Sequence, residues 1–126
     1  MVTGAGSATT AVADGLTRWG LRRLSGGMTL LTDAEITAGL TTLPGWTLSA
    51  DKTSILTSIE LVDFVAALDL VNLIGREAEQ RQHHPDIDIR WNTVTLVLST
   101  HSEGGLTPAD LELARRISNI AGLDGS

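Results

Sequence analysis

The sequence predicts an α+β domain: an antiparallel four-stranded sheet with helices packed on one face, in the order helix, two strands, long helix, two strands, helix. Three observations predict this class. Two pairs of short segments alternate apolar and polar residues, and a turn signal separates the members of each pair. A long segment with helical periodicity lies between the two pairs. Capping signals, in which a hydroxyl precedes a carboxylate by three residues, open two further helices.

The chain has 126 residues, a length that fits one compact domain. Residues 1–27 are rich in Ala, Gly and Thr, and we expect a flexible N-terminal extension there rather than a targeting segment. Residues 28–126 are expected to hold the folded domain. Aromatic residues are scarce, so the core must be built mostly from Leu, Ile, Val and Ala. Trp46 and Trp91 are expected in the core or in a pocket wall.

The first helix and the first pair of strands follow from local signals. Thr32 and Glu35 form a capping box that opens a short helix, which ends near Gly39 or Thr42. The segment Leu43-Pro44-Gly45 then reads as a stop and a turn. Two strands with a turn between them are expected at 46–49 and 53–59.

The long helix is expected over residues 61–81. Apolar residues cover more of it than one buried face requires; they are Leu61, Phe64, Val65, Leu68, Val71, Leu73, Ile74 and Ala78. Two explanations stay open: a partner subunit covers a second face, or the helix packs deeply within the monomer. Gly75 weakens the helix locally and would permit a close approach.

The second pair of strands lies between Ile87 and Thr100, with a two-residue turn expected at Asn92-Thr93. Directly opposed residues share a face, so this turn sets the apolar residues of the two strands against each other, with Ile89 opposite Leu96.

The last helix is signalled by Thr107-Pro108-Ala109-Asp110, with Thr at the N-cap, Pro at the first helical position and Asp at the third. Its apolar residues are expected to face inward, and it should end near Gly122.

Charge and composition exclude several classes of function. Residues 28–126 carry six Lys and Arg against fourteen Asp and Glu, a net charge of −8 with no basic stripe. We therefore expect no nucleic-acid partner, because such binding needs clustered positive charge. Without cysteine there are no disulfides and no thiol nucleophiles. Apolar runs are too short to span a membrane, and no apolar signal-peptide core is present, so we expect a soluble cytoplasmic protein without membrane contact.

The three histidines of the chain, His83, His84 and His101, should meet at the open end of the second hairpin. Continued to that end, the expected register places His84 opposite His101, with Cβ atoms about 4.5–5.5 Å apart. Because Pro85 interferes with this last pairing, we expect proximity rather than a specific contact. Three interpretations stay open: general acid–base chemistry near neutral pH, a three-histidine zinc site, or satisfied polar groups without function. Asp110 follows closely and could orient an imidazole.

Several short motifs together resemble the pterin-4a-carbinolamine dehydratase family. They are Glu79-Gln80-Arg81-Gln82-His83-His84-Pro85, Trp91-Asn92, Leu98-Ser99-Thr100-His101, and Gly104-Gly105-Leu106-Thr107 with Asp110. The resemblance runs from about Leu31 to Gly122. It implies an enzyme that dehydrates 4a-hydroxytetrahydropterin to quinonoid dihydropterin and so recycles the pterin of aromatic amino-acid hydroxylases. It also implies a small-molecule pterin substrate, no metal, no bound cofactor, and assembly as a homodimer or homotetramer.

The same resemblance implies roles for individual residues. His83 and His101 would be the acid–base pair, and Asp110 would support a histidine. His84 would hold the pterin and completes the expected catalytic set of His83, His84, His101 and Asp110. The expected substrate-binding residues are Glu79, His84, Pro85, Ser99, Thr100 and Ser102, with Ser102 in a variable stretch of the family.

An alternative function belongs to another class. Animal members of the resembled family also act as dimerisation cofactors of a transcription regulator, through a helix surface. The apolar excess on the 61–81 helix is compatible with such a protein-binding role. Self-assembly explains the same excess, and we favour it.

Overall fold

The computed structural model describes residues 29–123, which form three α-helices and a four-stranded sheet in the predicted order. The elements are α1 (Asp33–Leu40), β1 (Thr47–Leu48), β2 (Ile55–Glu60), α2 (Phe64–Arg81), β3 (Asp86–Arg90), β4 (Thr93–Leu98) and α3 (Pro108–Ala121), with a short 3₁₀ turn at His101–Glu103 before α3. The predicted α+β class is confirmed. The extension expected at residues 1–27 lies outside the described residues.

The sheet is antiparallel, with strand order β1-β2-β4-β3, so that β2 and β4 occupy its centre and β3 lies at an edge. Period-two alternation gives the two central strands one buried face. Its residues are Ile55, Thr57, Ile59, Val94, Leu96 and Leu98. On the opposite face the Ser58 and Thr95 hydroxyl oxygens lie 2.9 Å apart and remain exposed. Ser58 of β2 and Thr95 of β4 therefore point away from the helices, whereas the polar Thr57 lies on the buried face.

All three helices pack on the buried face of the sheet. They contribute Ile36 from α1, Ala67, Leu70, Ile74 and Ala78 from α2, and Leu113, Ala114 and Ile117 from α3 to one apolar core. Trp46 is buried, as expected, and its indole N–H donates to the Ser118 hydroxyl at 2.8 Å. No helix within residues 29–123 combines the length and apolar character needed to cross a membrane.

The turn of the second hairpin is Trp91-Asn92, one residue earlier than predicted, and the predicted register is wrong. Ile89 lies opposite Val94 rather than Leu96. The apolar residues still share a face because the register changes by two residues. The pairing expected between His84 and His101 does not form, since the strand begins only at Asp86.

A tertiary contact explains the shifted turn. The Asn92 side-chain amide donates to the Leu61 carbonyl at 2.8 Å, and the Leu61 N–H donates to the Asn92 carbonyl at 2.8 Å. These bonds also keep Leu61 out of α2, which begins at Phe64 after its N-cap Asp63. Trp91 takes the left-handed conformation, with φ of 56°, and is 69% exposed. The expectation that Trp91 lies in the core or a pocket wall is therefore wrong for this chain.

The apolar excess on α2 forms an exposed surface, which we call the outer strip: Phe64, Val65, Leu68, Val71 and Gly75. Phe64 is 46%, Val65 62% and Leu68 38% exposed, while the buried side of the helix faces the sheet. A Cβ added at Gly75 would meet nothing within 4 Å. Packing among residues 29–123 therefore leaves the outer strip uncovered.

Candidate active site

The site begins where α2 ends. Gln82 takes the left-handed conformation (φ 52°), and the His83 N–H donates back to the Ala78 carbonyl at 3.1 Å. This type of helix end reverses the chain while satisfying the last carbonyls of the helix. Pro85 follows and favours extended backbone before β3. The local sequence therefore sets the two adjacent histidines into the bend between α2 and β3.

His83 is held by a buried carboxylate. Its Nε2 lies 2.6 Å from Oδ1 of Asp110, and the two side chains are 15% and 0% exposed. Asp110 is the third residue of α3, and its Oδ2 accepts the Thr107 N–H at 3.0 Å in the predicted capping box. The structure thus brings together one proposed catalytic histidine and the aspartate expected to support a histidine.

Two buried hydroxyls complete the surroundings of Asp110. Thr100 donates its hydroxyl proton to Oδ2 of Asp110 at 2.8 Å, and the hydroxyl oxygens of Thr100 and Thr107 lie 2.8 Å apart. Thr107 is fully buried, and Thr100 is 9% exposed. Thr107 was not predicted to belong to the site. The available signal was its place as N-cap residue three positions before Asp110, which makes it a neighbour of that carboxylate.

His84 pairs with a different carboxylate. Its Nε2 lies 2.8 Å from Oε1 of Glu79, with side-chain exposures of 57% and 73%. Such an exposed pair stabilises a fold by little, about 0–1 kcal/mol. Adjacent residues in extended backbone point apart, and His83 and His84 accordingly reach separate carboxylates. His84 therefore remains accessible to a ligand while Glu79 orients its ring.

His101 lies beyond Thr100, in the 3₁₀ turn, and its side chain is exposed. Its imidazole makes no hydrogen bond to another residue of 29–123. The turn is held by the backbone of Thr100, which bridges to Gly105 with N–H to carbonyl distances of 2.8 and 3.4 Å. Gly104 has a φ of 75°, a conformation that a residue with a side chain rarely adopts. The turn therefore presents the His101 ring to solvent from a fixed backbone.

The remaining expected substrate-binding residues differ in exposure. Ser102 is exposed beside His101, and Pro85 is half-buried. Ser99 is half-buried, and its hydroxyl donates to the Thr53 carbonyl at 2.7 Å. The Thr100 hydroxyl points inward to Asp110, as described above. Of these residues, Ser102 therefore keeps the most accessible hydroxyl.

Two depressions border the histidine–carboxylate pairs. An open groove of about 670 Å³ between α2 and β3 is lined by Glu79, Gly75 and Ile87 among others. A smaller cleft of about 270 Å³ is lined by His83 and Pro108, with Arg81 and Glu112 at its polar side. Glu79 of the exposed pair lines the larger groove, and His83 of the buried pair lines the smaller cleft.

Within residues 29–123, no three His, Asp or Glu side chains are grouped so as to hold a metal ion. His83 and His84 instead pair with two separate carboxylates, those of Asp110 and Glu79.

The fold and these side chains define a class of protein: an α+β domain that carries two histidine–carboxylate pairs where its long helix ends. Residues 29–120 match the family model described as Pterin 4 alpha carbinolamine dehydratase. The chain belongs to this family of hydro-lyases, and the family resemblance seen in the motifs is confirmed.

Similar proteins agree with this assignment. A Nocardia farcinica protein, provisionally named a pterin-4-alpha-carbinolamine dehydratase, is 50% identical over 92 residues, which cover 73% of this chain and 95% of that protein. A Mycobacteroides abscessus protein with the same name is 52% identical over 95 residues, covering 75% of this chain and 99% of that protein.

Solved structures show the same fold. A Brucella melitensis protein described as a transcriptional coactivator/pterin dehydratase superposes with a TM-score of 0.72 at 34% identity, covering 75% of this chain and all of that one (100%). A pterin dehydratase-like protein described as a RuBisCO assembly factor in the alpha-carboxysome superposes with a TM-score of 0.54 at 16% identity, covering 62% of this chain and 90% of that one. The second likeness concerns the fold alone.

Proposed function

We propose that the protein dehydrates 4a-hydroxytetrahydropterin to quinonoid dihydropterin by histidine acid–base catalysis. The observation that carries the proposal is the placement of His83 against the buried carboxylate of Asp110, at 2.6 Å, in a member of this family. A histidine oriented by a carboxylate is a suitable proton carrier near neutral pH.

The reaction needs one proton donor and one proton acceptor. The bond between the 4a carbon and its hydroxyl oxygen breaks with its electron pair on oxygen, which takes a proton and leaves as water. The neighbouring ring nitrogen loses a proton, and its electrons form the new double bond to carbon. One proton is supplied by the acid and one is taken up by the base, so the total number of protons on the enzyme is unchanged, and each group returns to its starting state by proton exchange with solvent. Each well-placed acid or base contributes about 10²–10⁴-fold to such a step.

We assign the two proton transfers to His83 and His101. Because Asp110 occupies Nε2 of His83, Nδ1 is the ring atom left for the substrate. His101 is exposed on a turn fixed by its backbone and is free to meet the other side of the substrate. His84 completes the catalytic set by holding the pterin, with its ring oriented by Glu79.

Further contacts to the pterin are proposed for Glu79, Pro85, Ser99 and Ser102, which lie near the three histidines in the chain. The hydroxyl of Thr100 is committed to Asp110, so we move this residue from direct substrate contact to support of the site. The product would be used again in the hydroxylation of aromatic amino acids. We place the protein in the cytoplasm, because a chain without cysteine has no disulfides that would need an oxidising compartment.

Substitution of each histidine tests these roles. We expect His83→Ala and His101→Ala to lower kcat by about 10²–10⁴-fold, because each removes a proton carrier. His84→Ala should instead act mainly on KM, because it removes a binding contact. Circular dichroism must show an unchanged fold in all three variants. Wild-type kcat in both His83→Ala and His101→Ala would rule out the assignment.

We further propose that the protein forms a homodimer or homotetramer through the outer strip of α2. Val71 and Gly75 of the strip also line the groove beside β3, which lies at an edge of the sheet that residues 29–123 form. A second copy of this chain presents the same apolar surface, so it suits a self-complementary contact. A transcription regulator is the alternative occupant, and it would leave the isolated protein monomeric.

Light scattering on matched variants separates these cases. Leu68→Glu places a charge in the outer strip, whereas Leu73→Glu places one on the same helix about 140° away around its axis. The two residues are similarly exposed, at 38% and 46%. We expect an oligomer for the wild type and for Leu73→Glu, and a monomer for Leu68→Glu. A monomeric wild type would contradict self-assembly and favour a heterologous partner.

A further inference from the structure

We propose that Thr100 and Thr107 are positioning residues: their hydroxyls form a buried chain that orients Asp110 and keeps the proton of neutral His83 on Nε2. The catalytic part of this inference rests on the proposed function, and the protonation part does not. This hydroxyl chain runs from Thr107 to Thr100, whose hydroxyl oxygens lie 2.8 Å apart, and from Thr100 to Oδ2 of Asp110, also at 2.8 Å.

The direction of each hydrogen bond follows from the number of protons available. A threonine hydroxyl has one proton to donate, and an ionised carboxylate only accepts. Thr100 donates its hydroxyl proton to Oδ2 of Asp110. The 2.8 Å contact between the two hydroxyls must therefore be a donation from Thr107 to Thr100. Every proton in the chain points toward the carboxylate, and aligned hydrogen bonds of this kind strengthen one another.

The same count fixes the proton on His83. Oδ2 of Asp110 receives the Thr100 hydroxyl and the Thr107 N–H, and Oδ1 faces Nε2 of His83. Because a carboxylate has no proton to give, Nε2 must carry the hydrogen, whatever the state of Nδ1. Neutral His83 is therefore the Nε2–H tautomer, with its lone pair on Nδ1. Asp110 and Thr107 are fully buried, so no water competes for these bonds.

Helix capping alone does not account for the hydroxyl chain. The capping of α3 by Asp110 needs only the Thr107 N–H bond, which is present at 3.0 Å. The added Thr100 hydroxyl acts on the carboxylate itself, by holding Oδ2 so that Oδ1 stays directed at His83. The backbone of Thr100 also bonds to Gly105 and so opens the turn that carries His101. One residue thus connects the positions of both proposed proton carriers.

The test removes one hydroxyl at nearly constant shape. Thr100→Val deletes the hydroxyl, and Thr100→Ser keeps it and serves as the matched control. The tautomer is read from the ¹⁵N shifts of the imidazole nitrogens, recorded at rising pH until they stop changing. The His83 signals are assigned by their absence in His83→Gln.

We expect the Nε2–H tautomer in the wild type and in Thr100→Ser, and a mixture with Nδ1–H in Thr100→Val. In dehydratase kinetics, Thr100→Val should lower kcat about 10-fold or more and leave KM within about twofold of the wild-type value. The reason is that a misdirected base loses part of its contribution of about 10²–10⁴-fold to the rate. Thr100→Ser should have nearly the wild-type kcat.

The outcomes separate the inference from the proposed function. A folded Thr100→Val protein with the wild-type tautomer and the wild-type kcat would overturn the inference. An Nδ1–H tautomer of His83 in the wild-type protein would also overturn it, and this second measurement does not depend on the folding of any variant. A wild type with the expected tautomer but no dehydratase activity would refute the proposed function and leave the orienting role of the hydroxyl chain in place.

Discussion

Asp110→Asn is the substitution that examines the buried site most closely, because it changes charge and proton count at almost constant shape. Asp110 accepts three hydrogen bonds, from His83, the Thr100 hydroxyl and the Thr107 N–H, in a place closed to solvent. An asparagine has one accepting oxygen and one donating amide. Its oxygen can keep both threonine bonds only if its amide faces Nε2 of His83.

The cost to folding can be worked from these three contacts. A hydrogen bond to a charged group contributes about 1.5–3 kcal/mol, against about 0.5–1.5 for a neutral one. The two threonine bonds should therefore lose about 2–3 kcal/mol together when the acceptor becomes neutral. The third contact survives if His83 moves its proton to Nδ1 and accepts from the amide. Asp110→Ala should be less stable still, because it leaves three donors without their acceptor.

The cost to activity should be much larger than the cost to folding. With its proton on Nδ1, His83 offers the substrate a donor where the wild type offers a lone pair. The equivalent exchange in a serine-protease triad lowers kcat by about 10⁴-fold for this reason. We expect a loss of about 10²–10⁴-fold in kcat for Asp110→Asn.

Urea unfolding and steady-state dehydratase kinetics measure the two effects on the same preparations. Asp110→Asn should unfold at lower urea than the wild type and at higher urea than Asp110→Ala. Unchanged kcat in a folded Asp110→Asn protein would refute the role of the carboxylate. A stability equal to that of Asp110→Ala would refute the tautomer exchange.

Three further predictions follow from other contacts. Gly39→Ala places a Cβ 2.7 Å from Cδ1 of Leu111. The overpacking should lower the free energy of unfolding by about 1–3 kcal/mol, which exceeds the gain of up to about 1 kcal/mol in helix propensity. Measured by urea unfolding, this loss should vanish when the substitution is made in a Leu111→Ala background. The pKa of Glu77 is lowered, first by its hydrogen bond from Arg81 and also by Arg116. The contribution of Glu77 to folding stability is therefore full above the usual range of glutamate pKa values and is lost as the pH falls through the lowered pKa. Glu77→Gln should accordingly make the stability less dependent on pH on the acid side. Treatment with a chelator should leave dehydratase activity unchanged, because the proposed proton transfers use side chains alone; loss of activity that returns with added metal would contradict this.

Local signals predicted the elements of the fold well. Both capping boxes formed as expected, at Thr32 with Glu35 and at Thr107 with Asp110. These signals act within four residues, so they need no knowledge of the rest of the chain. The alternation in β2 and β4 likewise predicted which residues face the helices, since period two is a property of the strand itself.

What sequence reasoning missed depended on contacts between distant residues. The turn moved to Trp91-Asn92 because Asn92 bonds to Leu61, which is 31 positions earlier in the chain. The expected pairing of His84 with His101 across the strands followed from that wrong register.

The buried pair instead arises from the helix end at Gln82 and the start of α3, which bring His83 to Asp110. Thr107 was missed as a member of the site because its N-cap position was interpreted only as a helix start, although that position makes it a neighbour of Asp110.

The most direct test of the proposed function is the rate at which purified, chelator-treated protein consumes 4a-hydroxytetrahydropterin. The substrate can be generated in the cuvette by an aromatic amino-acid hydroxylase, and its loss followed by ultraviolet absorbance. We predict a rate that rises in proportion to protein concentration above the spontaneous rate, and that falls back toward it when His83→Ala replaces the wild type. A wild-type protein that leaves the spontaneous rate unchanged would contradict the proposed function.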